Sequence, residues 1–216
     1  MEIIELREQV RQTALRAYTE KLVAGTSGNV SAFNRRQGLM VITPSNMDYT
    51  IMKPSDLVVM KLDGSKVEGD LIPSSEWRLH AELYKNFDIA NAVVHTHSPR
   101  ASSFAVLHES IPLVLNEMLS FLGGDIPLAD FALPGTAEVG LNAVKAMNSD
   151  KYLRYSCLLA NHGAVAIGDD LNEAYKRAVY TEDAATVYHF ARQLGKPVEI
   201  PADAITALRE IYGLNK

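Results

Sequence analysis

Leu6, Val10, Ala14, Tyr18 and Leu22 recur every fourth residue, close to helical spacing, and predict an amphipathic helix that Gly25 is placed to end. The apolar run 39–43 reads as a strand closed by Pro44-Ser45-Asn46. A second run, 57–62, turns through Asp63-Gly64 into 65–68 as a hairpin. Pro73-Ser74-Ser75-Glu76 opens a helix carrying Trp77, Leu79, His80, Leu83 and Tyr84. Ala92-Val93-Val94 is a strand heading into the interior. Ser98-Pro99 reads as a serine cap followed by proline at the first position of a helix over 99–107.

The second half alternates the same two periods. A short strand is predicted at 111–115, then a break at Gly123-Gly124 before 126–129, then a helix over 136–147. The apolar runs 158–160 and 164–167 flank Asn161-His162-Gly163, which reads as a three-residue hairpin with glycine supplying a positive φ. Asp170 and Glu173 form a capping-box-like start to a long helix reaching Leu194, closed by Gly195 and Pro197, and 201–212 reads as a last short helix. Strands joined by tight turns predict a mixed, largely antiparallel sheet rather than a Rossmann-type parallel one.

Composition narrows the class. With 216 residues, 47% of them hydrophobic and 22% charged, the chain fits a single globular domain spanning 1–216 with a substantial core. A net charge of -5 argues against a nucleic-acid partner. The lone Cys157 excludes an internal disulfide framework and fits a reducing compartment. The first residues lack the charge pattern of a signal peptide, and no apolar run approaches the ~20 residues that span a bilayer. A cytoplasmic protein with no membrane partner is the expectation.

Chemistry concentrates in a few short motifs. Residues two apart on a strand share a face, so His95 and His97 of His95-Thr96-His97 point together and reach one metal ion. A third ligand from a turn, such as His162, or a carboxylate such as Glu76, would complete a catalytic site with a position left for substrate. His80, His108 and His189 lie in helical stretches without a metal-type partner nearby and read as structural. Gly25-Thr26-Ser27-Gly28-Asn29-Val30-Ser31 is either a turn or an anion cradle of converging backbone N–H groups. Ser74 and Ser75 are either helix caps or a phosphate site at the positive end of a helix dipole. The residues alone reach a divalent-metal site beside candidate phosphate loops.

The motifs Gly25-Thr26-Ser27-Gly28-Asn29-Val30-Ser31, Thr43-Pro44-Ser45, Pro73-Ser74-Ser75-Glu76, His95-Thr96-His97 and Asn161-His162-Gly163 occur in the order and spacing of the class II aldolase and adducin family. The resemblance covers nearly the whole chain. It implies a three-layer α/β/α sandwich with a central, mainly antiparallel mixed sheet, assembled as a homotetramer. It implies one Zn2+ per subunit held by His95, His97, His162 and Glu76, with Glu76 displaced by substrate to act as the base. Gly28, Asn29, Ser45, Asn46, Ser74 and Ser75 would bind the substrate phosphate. Tyr212, in the closing Tyr212-Gly213-Leu214, would reach a neighbouring subunit's site as a proton donor.

By that resemblance the reaction is cleavage of a ketose 1-phosphate to dihydroxyacetone phosphate and an aldehyde. The branch most similar in length and tail acts on L-fuculose 1-phosphate, releasing L-lactaldehyde. Two positions depart from that branch: Glu117 stands in place of a tyrosine, and Pro134 in place of a phenylalanine. Both belong to the aldehyde end, which keeps 5-deoxyribulose 1-phosphate as an alternative. The L-ribulose-5-phosphate 4-epimerase branch carries a catalytic aspartate where this chain has Ser120. A non-catalytic, adducin-head-like module would lack the histidines present here.

Overall fold

A computed structural model describes residues 2–149 and 151–214. One eight-stranded sheet runs through the molecule in the order β4-β3-β2-β1-β5-β8-β7-β6. The strands are β1 (Asn29–Asn34), β2 (Leu39–Ile42), β3 (Val58–Met60), β4 (Lys66–Glu68), β5 (Ala92–Thr96), β6 (Leu128–Ala129), β7 (Ser156–Leu159) and β8 (Gly163–Gly168). Six neighbouring pairs are antiparallel, and only the edge strand β6 joins its neighbour β7 in parallel. The mixed, largely antiparallel sheet read from the tight turns is the one observed.

The helices are α1 (Ile3–Thr19), α2 (Trp77–Asn86), α3 (Pro99–Leu107), α4 (Ala137–Met147), α5 (Leu171–Leu194) and α6 (Ala202–Ile211). Strand alternation divides the core. Val41, Ala92 and Val94 pack with α1 and α5, whereas Met40, Ile42, Val93, Val165 and Ile167 pack with α2 and α4. A third cluster gathers α3, α6, the far half of α5 and a five-residue π-helical turn, Met118–Leu122. The result is three layers, helices on both faces of the sheet. Every residue of β5 is buried, as a central strand covered on both sides should be.

Several local expectations change in detail. The first helix ends at Thr19 rather than at Gly25, because Lys21 turns left-handed (φ 63°). Ser98 does occupy the cap position of α3, but its hydroxyl makes no capping bond. Glu182 on α5 does the capping instead, accepting the N–H groups of Arg100 and Ala101 at 2.9 Å each. A carboxylate at this positive helix end satisfies two otherwise orphaned donors and fastens α3 to α5. Of the segments 111–115 and 126–129, only a bridge between Ile111 and Ile126 and the two residues of β6 are extended. The π-helical turn between them had no recognisable periodicity in sequence.

The β7–β8 connection also differs. Its left-handed residue is Asn161 (φ 56°), not Gly163. Gly163 is required for space: a Cβ there would sit 2.2 Å from the Thr96 carbonyl oxygen, on the neighbouring strand. Backbone cannot yield as a side chain can, so Gly163→Ala is expected to cost roughly 2 kcal/mol or more. At Gly195 a Cβ meets nothing within 4 Å, and Gly195→Ala is expected to stay within about 0.5 kcal/mol. Urea unfolding midpoints of the two variants check this, and equal midpoints would refute the close approach at Gly163.

Candidate metal centre

Three strand registers bring the site together. Asn29 at the start of β1 lies opposite His95 near the end of β5, and His95 lies opposite Val165 near the start of β8. The turn before β8 therefore places His162 beside His95. His97 lies just past β5, held by its N–H donating to the Leu22 carbonyl at 3.1 Å. His95 shares the face of Val93, which packs against α2, and Glu76 is the residue capping that helix.

One ligand atom from each of Glu76, His95, His97 and His162 lies within 4.8 Å of all the others. Among the described residues no other such group of metal-ligating side chains occurs. Glu76 Oε2 is 3.1 Å from His95 Nε2, and Glu76 Oε1 is 3.2 Å from His162 Nε2. The three rings stand edge-on, with centroids 4.8 to 5.0 Å apart.

The donor set fits a divalent cation. His95 Nδ1–H donates to the Ala164 carbonyl at 2.9 Å, which leaves Nε2 with its lone pair facing His97 Nε2 at 3.0 Å. With His97 Nε2 also unprotonated, as coordination requires, the two lone pairs repel unless a positive charge sits between them. Glu76 Oε1 is buried without a hydrogen-bond partner, a second sign that the cluster is arranged for a cation. Three imidazoles and a carboxylate are a known catalytic-zinc type of set, and other divalent ions accept it as well.

Charge is redistributed accordingly. Burial works to raise the Glu76 carboxyl, but the imidazoles of His95 and His162 and the Asn29 amide hold it well below the usual carboxylate range. Burial, reinforced by His95, pushes His97 and His162 down to about 4, so both are neutral near pH 7 and able to coordinate. His95 moves the other way: burial opposes its protonation, but Glu76 beside it outweighs that cost.

The candidate phosphate loops lie side by side next to these ligands. Thr26 Oγ1 donates to Asn46 Oδ1 at 2.9 Å, Ser45 N–H to the Ile72 carbonyl at 2.9 Å, and Ser74 N–H to the Thr43 carbonyl at 3.0 Å. Gly28 passes directly beneath the metal strand, where a Cβ would lie 2.7 Å from the His95 carbonyl oxygen. Its own carbonyl accepts the Tyr49 hydroxyl at 2.6 Å. Asn46 adopts φ 54°, which asparagine tolerates in place of glycine. Ser45 and Ser75 are exposed, while Ser74 is buried with Oγ accepting the Glu76 N–H at 3.2 Å.

Not every candidate joins them. The Asn29 side chain, expected at the phosphate, is instead buried between Glu76 and His80. Tyr212 caps α6, 40% exposed, and α6 packs with the Met118–Leu122 turn rather than with the metal ligands. Glu117 is exposed at the helical entry to the Met118–Leu122 turn, and Pro134 is exposed on the loop before α4. His80, read as structural, is fully buried and hydrogen-bonded to Asn29. The signal for it was its place four residues after Glu76, on the same side of the helix.

Comparison with known proteins gives concordant results. The family described as Class II Aldolase and Adducin N-terminal domain matches residues 8–189. The 5-deoxy-D-ribulose 1-phosphate aldolase of Bacillus thuringiensis serovar kurstaki is 35% identical over 206 residues, covering 95% of this chain and 94% of its own. The 5-methylthioribulose-1-phosphate/5-deoxyribulose-1-phosphate aldolase of Rhodospirillum rubrum is 36% identical over 210 residues, covering 97% and 91%. A solved L-fuculose 1-phosphate aldolase superposes with a TM-score of 0.90 at 35% identity, covering 97% of this chain and 96% of that one.

Single replacements His97→Ala and His162→Ala are expected to lower the divalent metal retained after dialysis by roughly tenfold or more. Plasma emission spectroscopy measures the metal, and unchanged near-ultraviolet circular dichroism checks the fold. Wild-type metal content in either variant would remove that histidine from the ligand set.

Proposed function

The chain belongs to the class II aldolase and adducin family and is a lyase of the aldolase type, and on that premise we propose that it cleaves 5-deoxyribulose 1-phosphate or a close C-5 variant. The products are dihydroxyacetone phosphate and a short aldehyde. The observation that carries this reading is the convergence of Glu76 and three imidazoles on one point, beside the loops of Gly28, Ser45 and Ser74. The substrate choice is supported by two relatives of 35% and 36% identity that bear this activity in their names. Cleavage of L-fuculose 1-phosphate is the second reading, supported by the 0.90 TM-score to an enzyme of that name. Glu117 and Pro134, both departing from that branch at the aldehyde end, favour the first.

His95, His97, His162 and Glu76 would hold the metal, which we take to be Zn2+ from its preference for imidazole and carboxylate donors. When bound, the ion supplies Lewis-acid stabilisation to the negative charge that develops on the ketose carbonyl. The backbone around Gly28, with Ser45, Asn46, Ser74 and Ser75, receives the phosphate, and that remote contact positions the reacting carbons.

In cleavage the C4 hydroxyl loses its proton, the C3–C4 bond breaks, and its electron pair passes to C3 and the C2 oxygen as an enediolate. Glu76, protonated in exchange with solvent once free of the neighbouring ligands, would deliver a proton to C3, balancing the one lost from the C4 hydroxyl. In the synthetic direction the same carboxylate removes that proton. Its depressed basicity in the resting arrangement comes from the neighbouring imidazoles, so leaving them raises its basicity toward the value the task needs. Tyr212 is assigned the proton at the aldehyde oxygen in a neighbouring subunit's site. Its exposure and its separation from the ligands of its own chain support this, within a homotetrameric cytoplasmic enzyme.

A coupled assay for dihydroxyacetone phosphate over 5-deoxyribulose, fuculose, rhamnulose and ribulose 1-phosphates is expected to give the highest kcat/KM for the first. No release from any of them by metal-loaded protein would overturn the reading. Glu76→Gln is expected to keep fold and phosphate binding while losing roughly 10²–10⁴-fold in turnover. Turnover close to wild type would remove Glu76 from the mechanism.

A further inference from the structure

A row of buried polar side chains leads away from the metal ligands into the core between β1 and α2. Glu76, His80 and Tyr84 succeed one another at four-residue steps on α2 and its cap, and Asn29 and Ser31 at a two-residue step on β1. Four residues of helix advance about 6 Å, and two residues of strand about 6.6 Å. The two repeats nearly match, so the side chains interleave. Asn29 Nδ2–H donates to Glu76 Oε2 at 2.9 Å, and Asn29 Oδ1 bonds His80 Nε2. His80 Nδ1 is 2.6 Å from Ser31 Oγ, which is 2.6 Å from the Tyr84 hydroxyl. The row ends where Phe33 stacks on the Tyr84 ring, centroids 5.0 Å apart.

The proton positions follow from one end. An ionised carboxylate only accepts, so Asn29 must turn its NH₂ toward Glu76 and its oxygen toward His80. His80 must then carry its proton on Nε2 and accept at Nδ1. Ser31 must donate to Nδ1, and Tyr84 must donate to Ser31. Every donor points toward the metal site, and no member can be reversed alone without opposing two acceptors or two donors in a dry core. Burial lowers His80 to about 3, so the ring stays neutral across the working range and keeps this single tautomer. Without His80 behind it, the Asn29 amide would be held at one end only and would be free to swing away from the carboxylate.

We propose that His80, with Ser31 and Tyr84 behind it, is a positioning residue that locks the Asn29 amide toward Glu76 and so holds the carboxylate in place both as a metal ligand and after substrate displaces it. The proposal deepens the aldolase reading, since it rests on Glu76 as the base. Among the described residues, the hydrogen bonds of these three side chains reach Glu76 only through Asn29.

The test compares His80→Phe, which removes the donor while filling the volume, with His80→Gln, whose amide N–H can donate from nearly the same place. Zinc affinity by chelator competition is expected to fall roughly tenfold in His80→Phe, with kcat down by a similar factor and KM within about twofold. His80→Gln is expected to recover most of both. In an Asn29→Ala background His80→Phe should add nothing further, as befits two residues acting through one contact. Nitrogen-15 histidine NMR of the metal-free protein should show His80 as the Nε2–H tautomer throughout pH 5–9.

Wild-type zinc affinity and kcat in His80→Phe, equal damage in His80→Gln, additive loss in the Asn29→Ala background, or an Nδ1–H tautomer would each overturn the proposal. Should His80→Phe not fold, Ser31→Ala and Tyr84→Phe take its place, with smaller losses of affinity expected; no loss in either refutes it. A wild-type protein that cleaves none of the phosphosugars fails the aldolase reading alone. The affinity cycle and the tautomer still decide this proposal.

Discussion

The register of three central strands is the constraint on which this structure depends. Asn29, His95 and Val165 lie in one row across β1, β5 and β8. Because strand side chains alternate, a slip of one residue in β5 would turn His95 toward α1 and α5 and bury it among Val30, Ala32 and Ala166. The slip is opposed on both faces at once. Val93 would leave its cluster with α2 and α4, while Ala92 and Val94 would leave theirs. Two close backbone approaches reinforce the row: Gly28 beneath the His95 carbonyl and Gly163 beneath that of Thr96. The chemistry of the site is thereby tied to the packing of the whole sandwich, and the metal ligands inherit their precision from the core rather than from their own loops.

Much of this was legible in the residues, for identifiable reasons. Strong periodicities and turn signals located most helices and strands, since β5 and α5 carry uninterrupted patterns bounded by Pro, Gly or a capping Asp170. The His95/His97 pair announced itself because a strand's two-residue repeat needs no tertiary knowledge. What escaped was whatever depends on distant neighbours. Ser98 has the residue type of a helix cap, but Glu182, 82 residues later than Arg100 in sequence, supplies the bond. The role of Gly163 was read as conformational when it is spatial, because glycine signals both and only the neighbouring strand distinguishes them. The turn at Met118–Leu122 follows neither standard repeat, so no pattern in the chain marked it.

The site divides into a rigid half and an adaptable half. The candidate metal ligands and candidate phosphate loops are anchored to the central strands, to the cap of α2 and to one another, through contacts such as Thr26 to Asn46 and Ser45 to Ile72. In the proposed reaction these parts would meet features common to every ketose 1-phosphate: a phosphate, a carbonyl and the bond to be broken. Glu117 and Pro134 are instead exposed, one leading into the Met118–Leu122 turn and one before α4, where substitution costs little stability. Aldehyde preference can then vary among relatives of one fold without disturbing the carbon–carbon chemistry. Similarity to proteins bearing either of two substrate names is what such a division produces.

The polar row between β1 and α2 also bears on why a metal site can sit at the edge of a dry core. Asn29, Ser31, His80 and Tyr84 are all nearly inaccessible to water, and isolated polar groups there would be destabilising. Interleaving removes that penalty, since each group meets the next at hydrogen-bond distance and the last meets a carboxylate. An all-apolar replacement would pack as well but would leave the Glu76 carboxylate with no fixed donor inside the protein. The row therefore trades packing freedom for a single orientation of one amide. In the proposed reaction that orientation would matter when Glu76 leaves the other ligands: a carboxylate still held by Asn29 would stay within reach of C3, whereas an unheld one could rotate away. Neither β1 nor α2 reveals this alone, because the two repeats acquire meaning only when laid side by side.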